Sequence, residues 1–296
     1  MTRGQKTLLL MTVPSILFII VFSYLPISGW IYSFFDYRIG YKLSTCEFVG
    51  LDNFRYVFGD PYILKVIGNT LIISLAGLLG LPLAGMIAIL LSEVRGRMFK
   101  KTVQTAITIP NFISWIIIYS IMFSLFSNDG LLTTVIRGIT GETEATTTLL
   151  TNPNTAKLFM ILTNIWKTVG YNSIIFFAAI TGIDSQLYDA AAVDGAGRWK
   201  KMLHITIPGM LPTLITLLII SIGAILNNGF EQYYVFVNPM IQEKMEVLDY
   251  YVYRIGMLNN DIPASTAVSM VKTFISVGLV FGVNKLSKKT LGQSIL

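Results

Sequence analysis

Polar side chains inside long apolar runs are the residues of this chain whose types could do chemistry. One run holds Asn164, Lys167 and Asn172. A later run holds Glu231 and Gln232. Amide and carboxylate groups hydrogen-bond hydroxyl-rich solutes. Because a polar group in lipid is costly unless it finds a partner, these positions indicate a solute pathway through a membrane.

The full set of candidate pathway residues combines amides, charged groups and aromatic rings from three apolar runs. Aromatic rings pack against the C–H faces of sugars, while amides and carboxylates bond their hydroxyls. The mixture therefore favours a sugar over a metal ion or a lipid. The set is Asn111, Trp115, Tyr119, Asn164, Trp166, Lys167, Asn172, Asn227, Asn228, Glu231 and Gln232.

Structural roles compete with solute contact for several of these residues. Lys167 or Lys272 could pair with Glu231 as a buried ion pair. Asn227 and Asn228 could bond backbone groups where their helix is irregular, and the two tryptophans of the set could be packing residues. The sequence leaves both interpretations open.

A second polar stretch, from about residue 184 to about 208, lies between two apolar runs. Asp184 can cap a helix start, and Gly195 permits a reversal that residues with a Cβ resist. Four residues share one helical face at i, i+3, i+4 and i+7: Leu187, Ala190, Ala191 and Asp194. The pattern predicts a short helix, a turn and a second short helix at a membrane surface. The small alanines would let another protein come close, although an ordinary amphipathic loop has the same pattern.

The sequence lacks the common catalytic motifs: a GxxxxGK[ST] nucleotide loop, a nucleophile elbow, HExxH and paired catalytic carboxylates. The single cysteine, Cys46, and the single histidine, His204, argue against a disulfide framework and a His/Cys metal cluster. We therefore predict that the chain is not an enzyme and binds no metal or cofactor itself. If ATP drives transport, a separate ATPase must hydrolyse it.

Composition indicates a protein embedded in membrane lipid. Of 296 residues, 53% are hydrophobic and 13% charged, and the mean hydropathy is +0.66, whereas a soluble domain carries about 25% charged residues. The net charge of +6 comes from basic residues that flank apolar runs, which does not indicate nucleic-acid binding. The first run has no small-residue cleavage site, so we expect a retained spanning helix rather than a signal peptide.

Six apolar runs are long enough to cross a bilayer, which needs about 20 mostly apolar residues. They cover approximately 7–35, 63–91, 103–126, 156–183, 210–236 and 264–283. The sequence has no internal repeat and no low-complexity linker. We therefore predict one all-α transmembrane domain, 1–296, with its core at about 63–290.

Basic residues concentrate on one side of this predicted topology. That side holds Arg3, Lys6, Arg95, Arg97, Lys100, Lys101, Arg198, Lys200, Lys201, Lys285, Lys288 and Lys289. The opposite loops hold fewer basic residues and many acids. Since Lys and Arg mark cytoplasmic loops, both termini and the 184–208 stretch are predicted to be cytoplasmic.

The 184–208 stretch resembles the EAA loop of permease subunits in bacterial ATP-driven importers that depend on a solute-binding protein. The family pattern runs EAA, a three-residue step, DGA, an aromatic residue and I-x-LP. Here it reads Asp189-Ala190-Ala191, Asp194-Gly195-Ala196, Trp199 and Ile205-Thr206-Ile207-Pro208. Asp189 replaces the usual Glu and Met202 the common Phe, and both changes keep the charge sign or the apolar character.

The likeness extends over nearly the whole chain, to the branch of carbohydrate permeases associated with oligosaccharides and polysaccharide fragments. The segments that carry it include 48–54, 108–115, 166–167, 229–232, 251–256 and 264–267. The resemblance implies the type I importer (MetI-like) fold, with six transmembrane helices and a cytoplasmic EAA coupling helix. The ATPase-coupling residues that it implies are Tyr188, Asp189, Ala190, Ala191, Asp194, Gly195, Ala196 and Trp199.

The resemblance also implies partners. These are a second, similar permease in a heterodimer, two ATPase subunits that hold ATP and Mg, and an extracellular solute-binding protein. A sugar or oligosaccharide would pass from the binding protein across the bacterial plasma membrane by alternating access.

An ion-coupled secondary transporter of a polar solute is the alternative class. It would favour several intramembrane carboxylates and inverted repeats, whereas Glu231 is the only clear intramembrane acid in the sequence. A membrane-bound enzyme is a third class, and the sequence offers it no assembled catalytic constellation.

Overall fold

Helices form all the regular structure in residues 3–141 and 149–291, which the computed structural model describes. The α-helices are α1 (Arg3–Ile19), α2 (Asp52–Gly59), α3 (Pro61–Gly77), α4 (Gly80–Glu93), α5 (Arg97–Phe112), α6 (Trp115–Phe126), α7 (Leu131–Thr140), α8 (Pro153–Thr181), α9 (Ser185–Val193), α10 (Arg198–Lys201), α11 (Ile207–Gly223), α12 (Phe230–Phe236), α13 (Gln242–Met245), α14 (Leu248–Tyr253) and α15 (Ile262–Leu291). Shorter 3-10 and π segments lie at Ile20–Tyr24, Leu25–Phe34, Leu43–Thr45, Met202–Thr206 and Arg254–Leu258. The first two and the last five residues lie outside the described residues. The prediction that both termini are cytoplasmic concerns these residues.

Two compact units divide the chain. One comprises Met1–Leu64 with Tyr250–Phe274, and the other Lys65–Asp249 with Ile275–Leu296. Helices α3, α14 and α15 run through these boundaries, so each contributes residues to both units. The single transmembrane domain expected from the sequence stays a prediction.

The first unit begins with a long apolar segment, Leu9–Phe34. Its most apolar stretch is not buried by any described part of the chain, as expected for a helix that lipid or another membrane subunit covers. At the end of this segment, the Asn53 amide donates to the carbonyl oxygens of Ser33 (2.9 Å) and Phe35 (3.1 Å). These bonds tie α2 to the end of the apolar segment.

The second unit is built around α8, against which α4 and α5 pack. A Cβ atom on Gly170 of α8 would lie 1.8 Å from the carbonyl oxygen of Ile107. Glycine therefore lets α5 approach α8 closely, as small residues do between membrane helices. On another face of α8, Phe176 is fully buried against Ala84 and Ala88 of α4.

Five helical segments in the described part of the chain are long and apolar enough to cross a membrane. They are Leu9–Phe34, Pro61–Glu93, Trp115–Thr140, Arg198–Gly223 and Ile262–Lys289. Helix α8 has 29 residues, about 43 Å at 1.5 Å per residue, but it carries several charged and amide side chains and is not one of the five. An all-helical, multi-pass membrane protein is confirmed, and the count of six spans stays a prediction.

The third predicted run, 103–126, forms two helices rather than one. Helix α5 ends at Phe112 and α6 begins at Trp115. Ser114 is the N-cap of α6, and its Oγ atom accepts a hydrogen bond from the backbone N–H of Ile117 at 3.4 Å. The capping side chain starts a new helix inside the apolar run.

The fifth predicted run, 210–236, is also divided. Helix α11 ends at Gly223, and α12 begins only at Phe230. Gly229 has a φ of +79°, a conformation that residues with a Cβ rarely adopt. The run is therefore irregular around Asn227 and Asn228, which the sequence allowed as one alternative.

Candidate functional site

A polar cavity lies within the second unit, between α3, α8, the end of α11 and the irregular segment that follows α11. Its open volume is about 720 Å³. Four of the predicted pathway residues line it: Asn164, Asn172, Asn227 and Asn228. Three hydroxyl side chains that were not among the predicted residues complete its polar lining: Ser74, Thr168 and Ser221. The fold thus gathers amides from two separate apolar runs into one place.

One wall of this polar cavity is a ladder of side chains on α8. Asn164, Thr168 and Asn172 are four residues apart, so they lie on one helical face over about 12 Å. The Thr168 hydroxyl donates to the carbonyl oxygen of Asn164 at 2.9 Å. The four-residue spacing is visible in the sequence and could have identified Thr168.

Another part of the lining is the irregular segment, which Ser74 of α3 contacts. Ser74 Oγ lies 2.5 Å from the carbonyl oxygen of Ile225 and 3.0 Å from Asn228 Oδ1. The Gly229 N–H donates to the Asp249 carboxylate at 3.2 Å. These partners replace helical hydrogen bonds that the segment lacks, and they fix one cavity amide.

Lys167 has a different role from those considered in the sequence. Its Nζ atom donates to the carbonyl oxygens of Pro110 (3.1 Å), Asn111 (3.0 Å) and Ile113 (2.5 Å), and it lies 5.3 Å from the centre of the Trp115 ring. The last carbonyls of a helix have no intrahelical donor, so Lys167 supplies one where α5 ends. In the described chain no ion pair joins Lys167 to an acid.

The other predicted pathway residues lie outside the polar cavity. Gln232 is buried, and its Nε2 donates to the carbonyl oxygen of Met160 at 3.0 Å. Trp115 and Tyr119 pack edge-to-face on Phe236, with ring centres 6.4 and 5.0 Å away. Packing and an internal hydrogen bond therefore account for these side chains. The remaining members of the set are Asn111 at the end of α5, Trp166 beside a separate apolar cavity, and the exposed Glu231.

The stretch 184–208 contains a short helix, a turn and a second short helix, α9 and α10. The Asp184 carboxylate accepts from the N–H of Gln186 at 2.9 Å and caps the start of α9. At its end, Gly195 has a φ of +72°, and the Ala196 N–H donates to the carbonyl oxygen of Ala191 at 2.8 Å. This glycine-terminated pattern is a Schellman motif, which gives α9 a defined end.

The same stretch presents apolar side chains that nothing in the described chain covers. Val193 is 89% exposed and Trp199 75% exposed. The Tyr188 hydroxyl lies 3.0 Å from Thr206 Oγ1, which joins α9 to the segment that leads into α11. Of the other predicted coupling residues, Asp189, Ala190, Asp194 and Gly195 are exposed, while Ala191 and Ala196 are half-buried. Exposed apolar patches of this kind mark interaction surfaces.

Metal-ligating side chains do not cluster in the part of the chain that the structure describes: no group of three or more His, Cys, Asp or Glu residues could hold a metal ion there. The polar side chains that line the cavity are amides and hydroxyls.

The fold and the cavity define a multi-pass helical membrane protein with an open polar cavity, the class to which transport permeases belong. The chain belongs to the family of binding-protein-dependent transport system inner membrane components, whose model matches residues 80–288. It is thus a transport component rather than a member of an enzyme family.

Two relatives from Bacillus subtilis (strain 168) match almost the whole chain. One is protein LplB, 37% identical over 97% of this chain and 90% of that protein. The other is the polygalacturonan/rhamnogalacturonan transport system permease protein YteP, 39% identical over 96% of this chain and 88% of that protein.

Two solved structures have a fold similar to that of this chain. A chain of a bacterial ABC transporter involved in the import of the acidic polysaccharide alginate has a TM-score of 0.87 and 30% identity, covering 97% of both chains. The second structure is of a bacterial alginate ABC transporter in complex with an alginate pentasaccharide-bound periplasmic protein. Its matching chain also has a TM-score of 0.87 and 30% identity, and the match covers 99% of this chain and 98% of that chain. The predicted permease fold is confirmed.

Proposed function

We propose that this chain is the transmembrane subunit of an ATP-driven importer, which receives a sugar or oligosaccharide from an extracellular binding protein and passes it across the bacterial plasma membrane. Membership of a binding-protein-dependent transport family is the observation that carries the proposal. The polar cavity supports the cargo class, because amides and hydroxyls bond sugar hydroxyls.

The ATPase is a separate subunit in this proposal, and it holds the ATP and Mg. The sequence has no nucleotide-binding loop of its own. The surface of α9 and the turn after it serves as the contact with that subunit. Its proposed coupling residues are Tyr188, Asp189, Ala190, Ala191, Asp194, Gly195, Ala196 and Trp199. This stretch and both termini face the cytoplasm, as the distribution of basic residues favours.

The position of α9 in the chain supports a mechanical link to the cavity. Helix α9 lies between α8 and α11, and both of these helices contribute side chains to the cavity lining. The Tyr188–Thr206 hydrogen bond adds a side-chain tie from α9 to the segment that precedes α11. A displacement of α9 by the ATPase would therefore move two walls of the cavity, which is what alternating access requires.

A second, similar permease completes the pathway in this proposal. The cavity of this chain is open rather than enclosed, so another subunit is needed to surround a solute. The pathway side chains that we propose here are those of the cavity, Asn164, Asn172, Asn227 and Asn228, with Ser74, Thr168 and Ser221.

Uptake into proteoliposomes tests the function. The chain is reconstituted with its co-expressed permease, ATPase and binding protein, and uptake of a labelled oligosaccharide is measured with ATP, without ATP and with an imposed proton or sodium gradient. We expect uptake only with ATP. Uptake driven by the ion gradient alone would support the secondary-transporter alternative and overturn this proposal.

A further inference from the structure

The polar cavity offers many hydrogen-bonding groups and no charge. In the described chain, its polar lining consists of four asparagine side chains and three hydroxyls, and none of its lining residues is acidic or basic. This neutrality contrasts with the cargo of the alginate importer compared above, which is an acidic polysaccharide.

Amide groups in this cavity are free to bond a ligand. The side chains of Asn164, Asn172 and Asn227 make no hydrogen bond to any described residue. Asn164 and Asn172 are half-buried, a setting in which amides normally find partners, and Asn227 is exposed. Each free amide presents two N–H donors and one carbonyl acceptor. A sugar hydroxyl both donates and accepts, so it can satisfy both sides of such an amide.

Cations that could neutralise an acidic ligand are engaged elsewhere on α8. Lys167 donates to three carbonyl oxygens at the end of α5. Lys157 donates to Asn69 Oδ1 at 2.8 Å. After the cavity amide Asn228, the next ionisable residue in the chain is Glu231, which is an acid. A carboxylate in the cavity would lose water without gaining a cation, which is costly.

We infer that this cavity selects neutral saccharides and discriminates against saccharides that carry uronate groups. The inference rests on the proposed function and adds the charge class of the cargo. The α8 ladder of Asn164, Thr168 and Asn172 supplies the recognition, and the absence of a cation from this subunit's share of the lining supplies its part of the discrimination.

A matched pair of ligands tests this inference. Trigalacturonate and its fully methyl-esterified form have the same sugar units and linkages and differ in charge. Their dissociation constants are measured by calorimetry on the full-length chain with its co-expressed partner subunits in lipid nanodiscs, without the binding protein. We expect the neutral ester to bind tighter by about tenfold or more, since an unpaired carboxylate is expensive to bury.

Two substitutions on α8 provide the controls. Asn172→Lys places a cation in the cavity and is expected to shift the preference toward the free acid. Asn154→Lys makes the same change on the exposed start of the same helix and is expected to leave the preference unchanged. Asn172→Leu is expected to weaken binding of the ester at least several-fold, because it removes an amide without adding charge.

The outcomes separate this inference from the proposed function. Equal or tighter binding of the free acid to the wild-type complex, with ATP-driven saccharide uptake intact, overturns the charge preference alone. If neither form binds, the assignment of this cavity as a saccharide-binding site is overturned. Loss of all ATP-driven saccharide uptake overturns the proposed function itself.

Discussion

The Nζ atom of Lys167 lies 3.0 Å from the carbonyl oxygen of Asn111, where α5 ends within a predicted membrane span. Two further carbonyls, of Pro110 and Ile113, accept from the same ammonium group. The negative end of a helix dipole favours a cation. Lys167 therefore stabilises a helix break that would leave unpaired carbonyls in an apolar environment.

Lys167→Met tests this capping role. The substitution keeps an apolar side chain of similar length but removes all three hydrogen bonds, and bonds from a charged donor contribute about 1.5–3 kcal/mol. We expect a clear fall in the melting temperature of the detergent-solubilised protein, measured by tryptophan fluorescence. Lys101→Met, at an exposed position of α5, is the control and should melt like wild type. A wild-type melting temperature for Lys167→Met would contradict the capping role.

Val193→Arg tests the exposed surface at the end of α9. Val193 is 89% exposed, so the substitution removes little packing within this chain but places a charge on the proposed ATPase contact. We expect the ATPase to be lost when the tagged chain is purified, while membrane insertion stays normal. Met98→Arg, at another highly exposed apolar position on the predicted cytoplasmic side, should retain the ATPase. Retention of the ATPase by both variants would exclude this surface as the contact.

Gly195→Ala tests the defined end of α9. No atom lies within 4 Å of a Cβ built at this position, so the cost comes from the φ of +72° alone, about 1–2 kcal/mol for a residue with a side chain. We expect less saccharide uptake per ATP hydrolysed, because α9 no longer ends at a fixed angle. Gly195→Asn, which tolerates this conformation better, should be affected less. Equal coupling ratios for Gly195→Ala and wild type would contradict the prediction.

We expect the Lys65–Glu243 ion pair to make the stability of the folded protein depend slightly on pH. Lys65 Nζ lies 2.5 Å from Glu243 Oε1, and this hydrogen bond and charge hold the pKa of the Glu243 carboxyl below its usual value. A lowered folded-state pKa contributes stability above the pKa of an unfolded glutamate, about 4.3, and that stability is lost as the pH falls through the lowered value.

Glu243→Gln measures this contribution. We expect the variant to melt slightly below wild type at pH 7, and the difference to shrink as the pH falls below about 4.3. The difference should also shrink at high salt, because both groups are exposed and screened. A gap in melting temperature that widens toward acid pH would show that the pair does not act in this way.

Local features of this protein can be predicted from its sequence. The apolar runs show that it is an α-helical membrane protein, because spanning a bilayer requires long apolar helices. The cap at Asp184 and the reversal at Gly195 also follow from residue type, because both depend on hydrogen bonds and φ values within a few residues. The sequence also predicts that Asn164, Thr168 and Asn172 lie on one face of a helix, because side chains at i and i+4 share a helical face.

Only the tertiary structure decided which of the polar residues meet. Ser74 and Asn228 are neighbours because α3 packs beside a segment where α11 has already ended, and apolar periodicity does not reveal such a break. From the sequence, Lys167 could have contacted a solute or paired with an acid. The packing of α5 on α8 at Gly170 instead brings the carbonyl groups at the end of α5 to Lys167. Contacts between distant segments depend on where helices end and how closely they approach, and the chain settles these only when it packs.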